Sequence, residues 1–491
     1  MVFSSIPFLY WFLPAVMVCY FSLTLGLGKL FGKKVGLVAG NAVLLAFSLL
    51  FYGWGEPTLL WLMVFTILLF YGCGLAIGAA KKQVWKRVWL IVSIVISVAL
   101  LGLFKYANFF IESINSVTGL SIAFLKLALP VGISFYTFQC LSYTIDVYRG
   151  NVESQKNPIS FGAYVALFPQ LIAGPIVRYI DVARELGDRT HSWDEAALGL
   201  RRFLVGLSKK VIIADNLALL MKMFRLSTDK SVLFYWIYAI SFTLYIYFDF
   251  SGYSDMAIGL GRIFGFKFIE NFNYPYMSRS VTEFWRRWHM SLGSWFRDYI
   301  YIPLGGNRVS KLRWIRNIFV VWLLTGMWHG ADWTYVIWGL MFAVLLLLEK
   351  WTGFTKKAPA AVGHLWTMFW VMISFVIFSG DNSAKTLFEA TEKTVAPITM
   401  AMGDLKGMFG FAGVPLVSAE TLYYLRSYGV LLVLAILGTA PLVKNVANRL
   451  YQSRAGKVIA VLEPIMMIGM LLICTAYLVA GSFSPFLYFR F

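Results

Sequence analysis

Charged residues are scarce in this sequence of 491 residues. They make up 14% of it, whereas soluble domains carry about 25%, and 59% of the residues are hydrophobic. This composition excludes an ordinary soluble domain and indicates a polytopic membrane protein. The basic residues lie in short loops between apolar runs, where the positive-inside rule predicts them. The net charge of +19 therefore does not indicate a nucleic-acid-binding protein.

Cysteine and histidine are also rare, with four of each. Every cysteine lies alone in an apolar run, so neither a disulfide framework nor a metal site is expected. No Ser or Cys stands with a base at nucleophile-elbow spacing, which disfavours a serine hydrolase. His191 and His364 lie in polar or interfacial surroundings. Only His289 and His329 remain as candidates for chemistry.

Long apolar runs define the organisation of the chain, because about 20 apolar residues are enough to cross a membrane core of ~30 Å. A hairpin of two helices, interrupted at His329 and Gly330, is predicted over residues 317–349. With it, the chain makes about ten crossings, and residues 1–491 form a single integral-membrane domain. The other predicted crossings are residues 4–28, 35–53, 57–80, 86–110, 122–147, 232–261, 361–379, 428–446 and 458–480.

Two further segments are predicted to enter the membrane region without a simple crossing. Residues 159–180 are apolar but contain two prolines and two glycines, which favours a re-entrant segment over a straight span. Residues 201–220 carry Lys209 and Lys210 in the middle of a helical pattern. This pair favours an amphipathic helix in the interface, whereas the alternation of charged loops favours a crossing. The sequence leaves both alternatives open.

The loops between the first four runs alternate in charge. Lys33 and Lys34 follow the first run and Lys81 and Lys82 follow the third, whereas the second is followed by a single acidic residue. The positive-inside rule then places the N-terminus outside the cytoplasm. The last basic loop precedes the final run, so the C-terminus is predicted outside as well. Residues 380–427 are predicted to form an extracytoplasmic loop.

The two remaining histidines suit acid–base chemistry. His329 lies inside the hairpin, and ionisable residues at membrane depth are functional candidates by default. An imidazole titrates near neutrality and can act as a general base on a hydroxyl group. If residues 282–292 form one helix, Trp285, Trp288 and His289 share a face. His289 fits a functional histidine and a buried structural histidine equally well.

Polar side chains also interrupt the apolar run that ends near residue 255. They could bind an acceptor hydroxyl or orient a histidine, or they could satisfy backbone groups at a helix break around Gly252. A transporter that uses His329 and Asp249 as a proton relay is the alternative from a different functional class. The candidate acceptor-binding residues are Asp249, Ser251, Tyr253 and Asp255.

Arginines and tryptophans are interleaved between residues 279 and 316. Guanidinium groups recognise phosphate bidentately, so this stretch suits a polyanion such as the phosphates of coenzyme A. Contact with membrane lipid headgroups is the alternative for many of these charges. With a tryptophan from the hairpin, the candidate donor-binding residues are Trp285, Arg286, Arg287, Trp288, Arg308 and Trp328.

Short motifs in constant order give the chain a resemblance to the membrane-bound O-acyltransferase (MBOAT) family, and within it to the bacterial polysaccharide O-acetylation branch. The two most informative are the Trp-Arg-Arg-Trp-His segment ending at His289 and the Trp-His-Gly segment around His329. The motif region extends over residues 100–340. The matching segments are residues 104–109, 130–136, 143–150, 171–175, 247–257, 283–289, 301–308 and 328–331.

The resemblance implies the all-α MBOAT fold, with transmembrane, re-entrant and interfacial helices around a central tunnel. It implies that His329 is the catalytic residue and His289 a second functional histidine. For the polysaccharide branch it implies a protein of the bacterial inner membrane without a permanently bound cofactor. Acetyl-CoA would be the cytoplasmic donor, and an extracytoplasmic SGNH-type partner would esterify an envelope or secreted polysaccharide. D-alanyl transfer from a carrier protein to teichoic acid is the alternative within acyl transfer.

Overall fold

The computed structural model describes residues 1–172, 174–385 and 397–481, and within these ranges it contains no β-strand. The prediction of an all-α polytopic membrane protein is confirmed, whereas the central tunnel stays a prediction. Nine helical segments of the described residues are long and apolar enough to cross a membrane, close to the predicted number. They are Phe8–Phe31, Lys33–Gly55, Leu60–Ala79, Gln83–Thr118, Val232–Ile263, Trp333–Thr352, Ala360–Gly380, Ala419–Gly438 and Gly456–Ala480.

The first part of the chain is built from ten helices within the described residues up to Leu226. A π-helical segment, Lys209–Ala214, joins the last two of them, and another, Gly102–Tyr106, joins the fourth to the fifth. The helices are α1 (Leu13–Phe31), α2 (Lys33–Gly55), α3 (Leu60–Ala79), α4 (Gln83–Leu101), α5 (Ala107–Thr118), α6 (Ile133–Arg149), α7 (Pro158–Ala166), α8 (Tyr179–Gly187), α9 (Trp193–Ser208) and α10 (Asp215–Leu226).

The second part begins with a helix of 32 residues and contains the predicted hairpin. The helices are α11 (Val232–Ile263), α12 (Val281–Arg287), α13 (Met290–Phe296), α14 (Lys311–His329), α15 (Trp333–Thr352), α16 (Phe354–Lys357), α17 (Ala360–Lys385), α18 (Pro397–Met408), α19 (Ala419–Gly438), α20 (Leu442–Tyr451) and α21 (Gly456–Ala480). Of these, α18 and the start of α19 fall within the predicted loop 380–427.

The described residues form two compact units. The first consists of Met1–Val205 and Tyr253–Glu270. In it, α2 packs against α1 and α7, and α3 packs against α4 and α6. Its core holds a cluster of phenylalanine rings, among them Phe3 and Phe8 with centroids 4.9 Å apart. Because lipid is as apolar as these side chains, close van der Waals packing must stabilise such contacts in a membrane.

The second unit consists of Gly206–Gly252 and the described residues from 271 onward. Here α14 and α15 pack along each other, α17 packs on α15 and α18, and α12 packs on α15 and α17. Both candidate histidines belong to this unit. Its helices therefore determine the geometry of the candidate site.

The predicted crossing at residues 122–147 is wrong in its first half. The helix α6 begins only at Ile133, and residues 119–132 are not helical apart from a turn. Gly119 and Gly132 both have positive φ angles, 71° and 73°. A left-handed residue at each end interrupts a right-handed helix, and Pro130 lacks the amide hydrogen that a helix would use.

Two other boundaries differ from their predictions. A helix long enough to cross is present at the predicted crossing 428–446, but the predicted boundaries are wrong, because α19 begins at Ala419 and ends at Gly438. At its start the Ser418 side chain accepts a hydrogen bond from the Thr421 amide. The predicted break around Gly252 is also wrong, since α11 is continuous through it. By contrast, the break within residues 159–180 is confirmed, because α7 ends at Ala166 and α8 starts at Tyr179.

Candidate active site

His329 is the last residue of α14, and the backbone around it has little freedom. Gly330 follows in an extended conformation, with φ −175° and ψ 160°. A Cβ atom on Gly330 would lie 2.0 Å from the Tyr335 ring, so no other residue fits there without displacing that ring. Two residues later, the Asp332 side chain accepts a hydrogen bond of 2.8 Å from the Thr334 amide and caps α15. Gly330 and Asp332 thus fix the conformation of the turn between α14 and α15.

The two helices of the hairpin approach each other through a pair of glycines. A Cβ atom on Gly326 would lie 2.3 Å from the carbonyl oxygen of Tyr335. A Cβ atom on Gly339 would lie 2.3 Å from the carbonyl oxygen of Trp322. Small residues allow membrane helices to pack with backbones in contact. The position of His329 therefore depends on direct backbone contact between α14 and α15.

Aromatic rings enclose the His329 side chain, which is only 1% exposed. The ring centroids of Trp328, Trp338 and Phe378 lie 5.1, 5.0 and 5.5 Å from that of the imidazole. We call these three residues the aromatic wall. They exclude bulk water from the imidazole, and low polarity strengthens any electrostatic interaction made there.

The continuous helix predicted over residues 282–292 is wrong. The helix α12 ends at Arg287, and His289 has φ 46° and ψ 52°, in the left-handed region, before α13 begins at Met290. This conformation costs roughly 1–2 kcal/mol for a residue with a Cβ atom. It turns His289 away from the helical face that it was predicted to share with Trp285. Strained backbone conformations cluster at functional sites, so this one supports a functional role for His289.

Asn271 fixes the orientation of His289. The Asn271 Oδ1 atom lies 3.1 Å from His289 Nδ1 and also accepts hydrogen bonds from the Ser291 amide and hydroxyl, at 3.2 and 2.9 Å. Because this oxygen is an acceptor, Nδ1 carries the imidazole hydrogen and Nε2 presents a lone pair. The Nε2 atom is buried without a hydrogen-bond partner in the described part of the chain. Burial also lowers the pKa of His289 to about 3, so the ring is neutral at physiological pH.

The two histidines meet although 40 positions separate them in the sequence. Their ring centroids are 6.4 Å apart, and Trp328 lies beside both. Phe250 on α11 packs edge-on against His289, with centroids 4.7 Å apart. His289 is a neutral imidazole whose Nε2 lone pair has no hydrogen-bond partner among the described residues, and it lies next to a second buried imidazole. Such an imidazole can receive or orient a proton.

Asp249 lies in a buried ion-pair group. Its carboxylate is 2.7 Å from the Lys210 ammonium group, which is also 2.9 Å from Asp215. Lys210 is fully buried and Asp249 is 1% exposed. Burial disfavours the charged form of Lys210, but the two carboxylates outweigh it and raise the pKa of the ammonium group. The burial of Lys210 therefore does not fit the interfacial helix, which was one of the two alternatives for residues 201–220.

The other acceptor-binding candidates lie in different surroundings. Ser251 is buried in the second unit. Tyr253 and Asp255 belong to the first unit, where Tyr253 stacks on Phe3 and Asp255 pairs with Arg202 at 2.9 Å. Asp249 and Ser251 thus belong to the second unit, and Tyr253 and Asp255 to the first. In the described ranges, no three His, Cys, Asp or Glu side chains are grouped as metal ligands would be.

Comparison with known proteins identifies the family of this chain. The profile of the membrane-bound O-acyltransferase family matches residues 47–388, which include both histidines. The chain belongs to this family. The acyltransferase is 45% identical over 391 residues to the protein named "Probable alginate O-acetylase AlgI" of Pseudomonas aeruginosa, covering 78% of this chain and 72% of that relative.

Two further relatives broaden the comparison. The acyltransferase is 35% identical over 449 residues to the Peptidoglycan O-acetyltransferase of Helicobacter pylori, covering 85% of this chain and 81% of the relative. It is 32% identical over 275 residues to the Teichoic acid D-alanyltransferase of Bacillus subtilis, covering 51% of this chain and 68% of that relative. The similarity to the two O-acetylation proteins thus extends over more of the chain.

The tryptophans of the predicted donor-binding set have well-defined places in the acyltransferase. Trp285 packs against Trp322 and Trp338, with centroids 4.7 and 5.5 Å apart. Trp288 is 2% exposed and packs against Phe375 on α17. Trp285 therefore packs against the aromatic wall through its contact with Trp338.

The arginines of that set differ from the tryptophans in exposure. Arg286 and Arg308 are exposed, whereas Arg287 pairs with Glu283 at 2.7 Å. Exposed guanidinium groups can contact phosphates.

At the start of α12, the Glu349 carboxylate accepts hydrogen bonds of 2.7 and 3.0 Å from the Val281 and Thr282 amides. A negative charge at a helix N-terminus is stabilising, so Glu349 anchors α12 to α15.

Replacement of Asn271 by leucine is expected to lower the turnover number of this acyltransferase about 10- to 100-fold, as loss of an orienting partner does elsewhere. The leucine cannot accept the Nδ1 hydrogen, so the lone pair of His289 would no longer be held at Nε2. Steady-state kinetics should show a fall in kcat with little change in KM. Asn273→Leu makes the same chemical change at an exposed position two residues away and should behave as wild type. Equal effects of both variants would contradict the assignment.

Proposed function

We propose that this acyltransferase moves acetyl groups from cytoplasmic acetyl-CoA across the bacterial inner membrane to an extracytoplasmic SGNH-type partner. The partner would then esterify hydroxyl groups of an envelope or secreted polysaccharide. The single observation that carries the proposal is the meeting of two buried histidines behind an aromatic wall. The similarity to proteins named for alginate and peptidoglycan O-acetylation supports acetyl as the transferred group.

In the proposed reaction, His329 removes the proton from an acceptor hydroxyl as the hydroxyl oxygen attacks the thioester carbonyl carbon. A carbon–oxygen bond forms, the carbon–sulfur bond breaks, and the imidazolium returns its proton to the departing thiolate. His289 Nε2, whose lone pair lies beside His329, is proposed to accept a hydrogen bond from the His329 imidazolium while that ring holds the proton. General-base catalysis of this kind contributes about 10²- to 10⁴-fold to a rate.

Transfer at this site lets the acetyl group cross the membrane without the rest of the donor. The phosphates of coenzyme A are charged, and moving such charges into hydrocarbon is very costly. Exposed Arg286 and Arg308 are proposed to contact these phosphates. The N- and C-termini would both lie outside the cytoplasm, with the donor entering from the opposite face.

The proposal is tested with radiolabelled acetyl-CoA and membranes in which this chain is produced together with an SGNH-type protein from the same genome. Label is expected on the partner or its polysaccharide, and membranes with the partner alone are the control.

The similarity to a D-alanyltransferase favours a second candidate, transfer from a thioester on a carrier protein. Label transferred from a D-alanyl carrier protein but not from acetyl-CoA would replace the first proposal with the second.

A further inference from the structure

A cavity of about 290 Å³ lies in the first unit. Residues of α2, α8, α9 and the end of α11 line it, together with residues that follow α8 and α11. Five basic side chains line it: Lys33, Arg184, Arg189, Arg262 and Lys267. Lys33 is the first residue of α2, at the end of that helix that the charge pattern places in the cytoplasm. None of these residues belongs to the candidate donor-binding set.

Three carboxylates also line the cavity, but they neutralise only part of this charge. Glu195 pairs with Arg262 at 3.0 Å, and Asp188 pairs with Lys33. Five basic and three acidic residues leave a net charge of +2 on the lining. In the described ranges, Arg184, Arg189 and Lys267 have no carboxylate within ion-pair distance.

Arg189 is the most buried of these cations and is 2% exposed. Its Nε donates a hydrogen bond of 2.9 Å to the Tyr20 hydroxyl, and its Nη1 donates one of 3.0 Å to the Glu185 carbonyl. Its guanidinium plane lies over the Phe266 ring, 4.6 Å from the centroid. The Nη2 atom is buried and has no hydrogen-bond partner in the part of the chain that the structure describes. A buried arginine without a counter-charge is costly unless an anion completes its environment.

We propose that this cavity binds a phosphate monoester. The net charge of +2 matches a phosphate dianion, and a fixed planar guanidinium is suited to phosphate oxygens. The hydroxyl groups of Thr190 and Ser192 on the lining can donate further hydrogen bonds. The phosphate belongs either to a lipid headgroup or to a soluble phosphate ester, for which adenosine 3′,5′-bisphosphate serves as the probe. The site does not depend on the proposed acetyl transfer.

The test uses purified full-length protein and two phosphate probes. One arm titrates adenosine 3′,5′-bisphosphate against protein in detergent by calorimetry. The other compares retention of phosphatidate and phosphatidylcholine by native mass spectrometry after release from nanodiscs. Saturable binding in the first arm supports a soluble phosphate ester, and selective phosphatidate retention in the second supports a lipid headgroup. Absence of both would overturn the proposal.

A double variant, Arg184→Gln with Lys267→Gln, should weaken binding of the active probe about tenfold or more, because two charge-assisted contacts are removed. Lys81→Gln with Lys82→Gln removes the same charge from exposed residues between α3 and α4 and serves as the matched control. The control should bind as wild type. Arg189→Lys retains the charge but not the planar fork, and it should also weaken binding. Equal loss in the Lys81 and Lys82 control would show attraction to net charge alone and overturn the site.

Discussion

Replacement of His329 by alanine is expected to lower the rate of acyl transfer about 10²- to 10⁴-fold, the contribution of a general base. The imidazole is buried behind the aromatic wall, and no other described side chain at that place could take the acceptor proton except His289. Burial lowers the pKa of His289 to about 3, so His289 is too weak a base to replace the missing imidazole. The measurement is single-turnover transfer of label at matched protein levels.

His364→Ala is the matched control for this variant. His364 lies at the start of α17, is partly exposed, and its Nδ1 contacts the Ser278 carbonyl at 3.2 Å. It lies in the same unit and loses the same side chain at a less buried position, so it controls for the loss of an imidazole as such. Wild-type rates are expected for His364→Ala. Full activity in His329→Ala would refute the assignment of the catalytic base.

Replacement of Asp249 by alanine is expected to destabilise the protein by about 1.5–3 kcal/mol, because it leaves a fully buried ammonium group with one carboxylate instead of two. Thermal unfolding in detergent measures this loss. The double variant Lys210→Met with Asp249→Leu should recover most of it, since it also removes the buried ammonium group and leaves only Asp215, whose side chain is 23% exposed to water. The expectation follows from burial rather than from catalysis.

Asp188→Ala provides the comparison, because it removes one partner of an exposed ion pair with Lys33 and should have little effect. The Asp249 series also separates two roles for this residue. A stable Asp249→Ala protein that has lost transfer would favour the acceptor-binding role predicted from the sequence. A destabilised protein rescued by the double variant would favour the ion-pair role.

The sequence predicts well those features that depend on local pattern. The hairpin around His329 follows from two apolar runs joined at Gly330, and α14 and α15 confirm it. The long helix α11 and the final span α21 follow from hydropathy alone. Hydropathy cannot show where such a run is capped, so the start of α19 at Ala419 was missed. The serine cap at Ser418 was the available signal.

Features that depend on distant partners could not be predicted. The lysine that pairs with Asp249 lies 39 positions earlier, and the spacing of residues along one chain does not report such pairs. The left-handed conformation of His289 was also missed, because histidine carries no local signal for it as glycine would. Asn271 lies 18 positions before the histidine that it orients. No sequence pattern joined the two, and only the fold places them in contact.

The contact between Gly326 and Gly339 limits how this protein can diversify. Any larger residue at either position would push α14 and α15 apart and displace His329, so evolution cannot enlarge the site by widening the hairpin. The remaining freedom lies with the rings around the imidazole, among which Phe378 comes from a third helix, α17. In the proposed reaction, shortening that one side chain would make room for a bulkier acyl group without moving α14 or α15. The acyl groups that the proposed site accepts would then depend on α17 more than on the helix that carries the histidine.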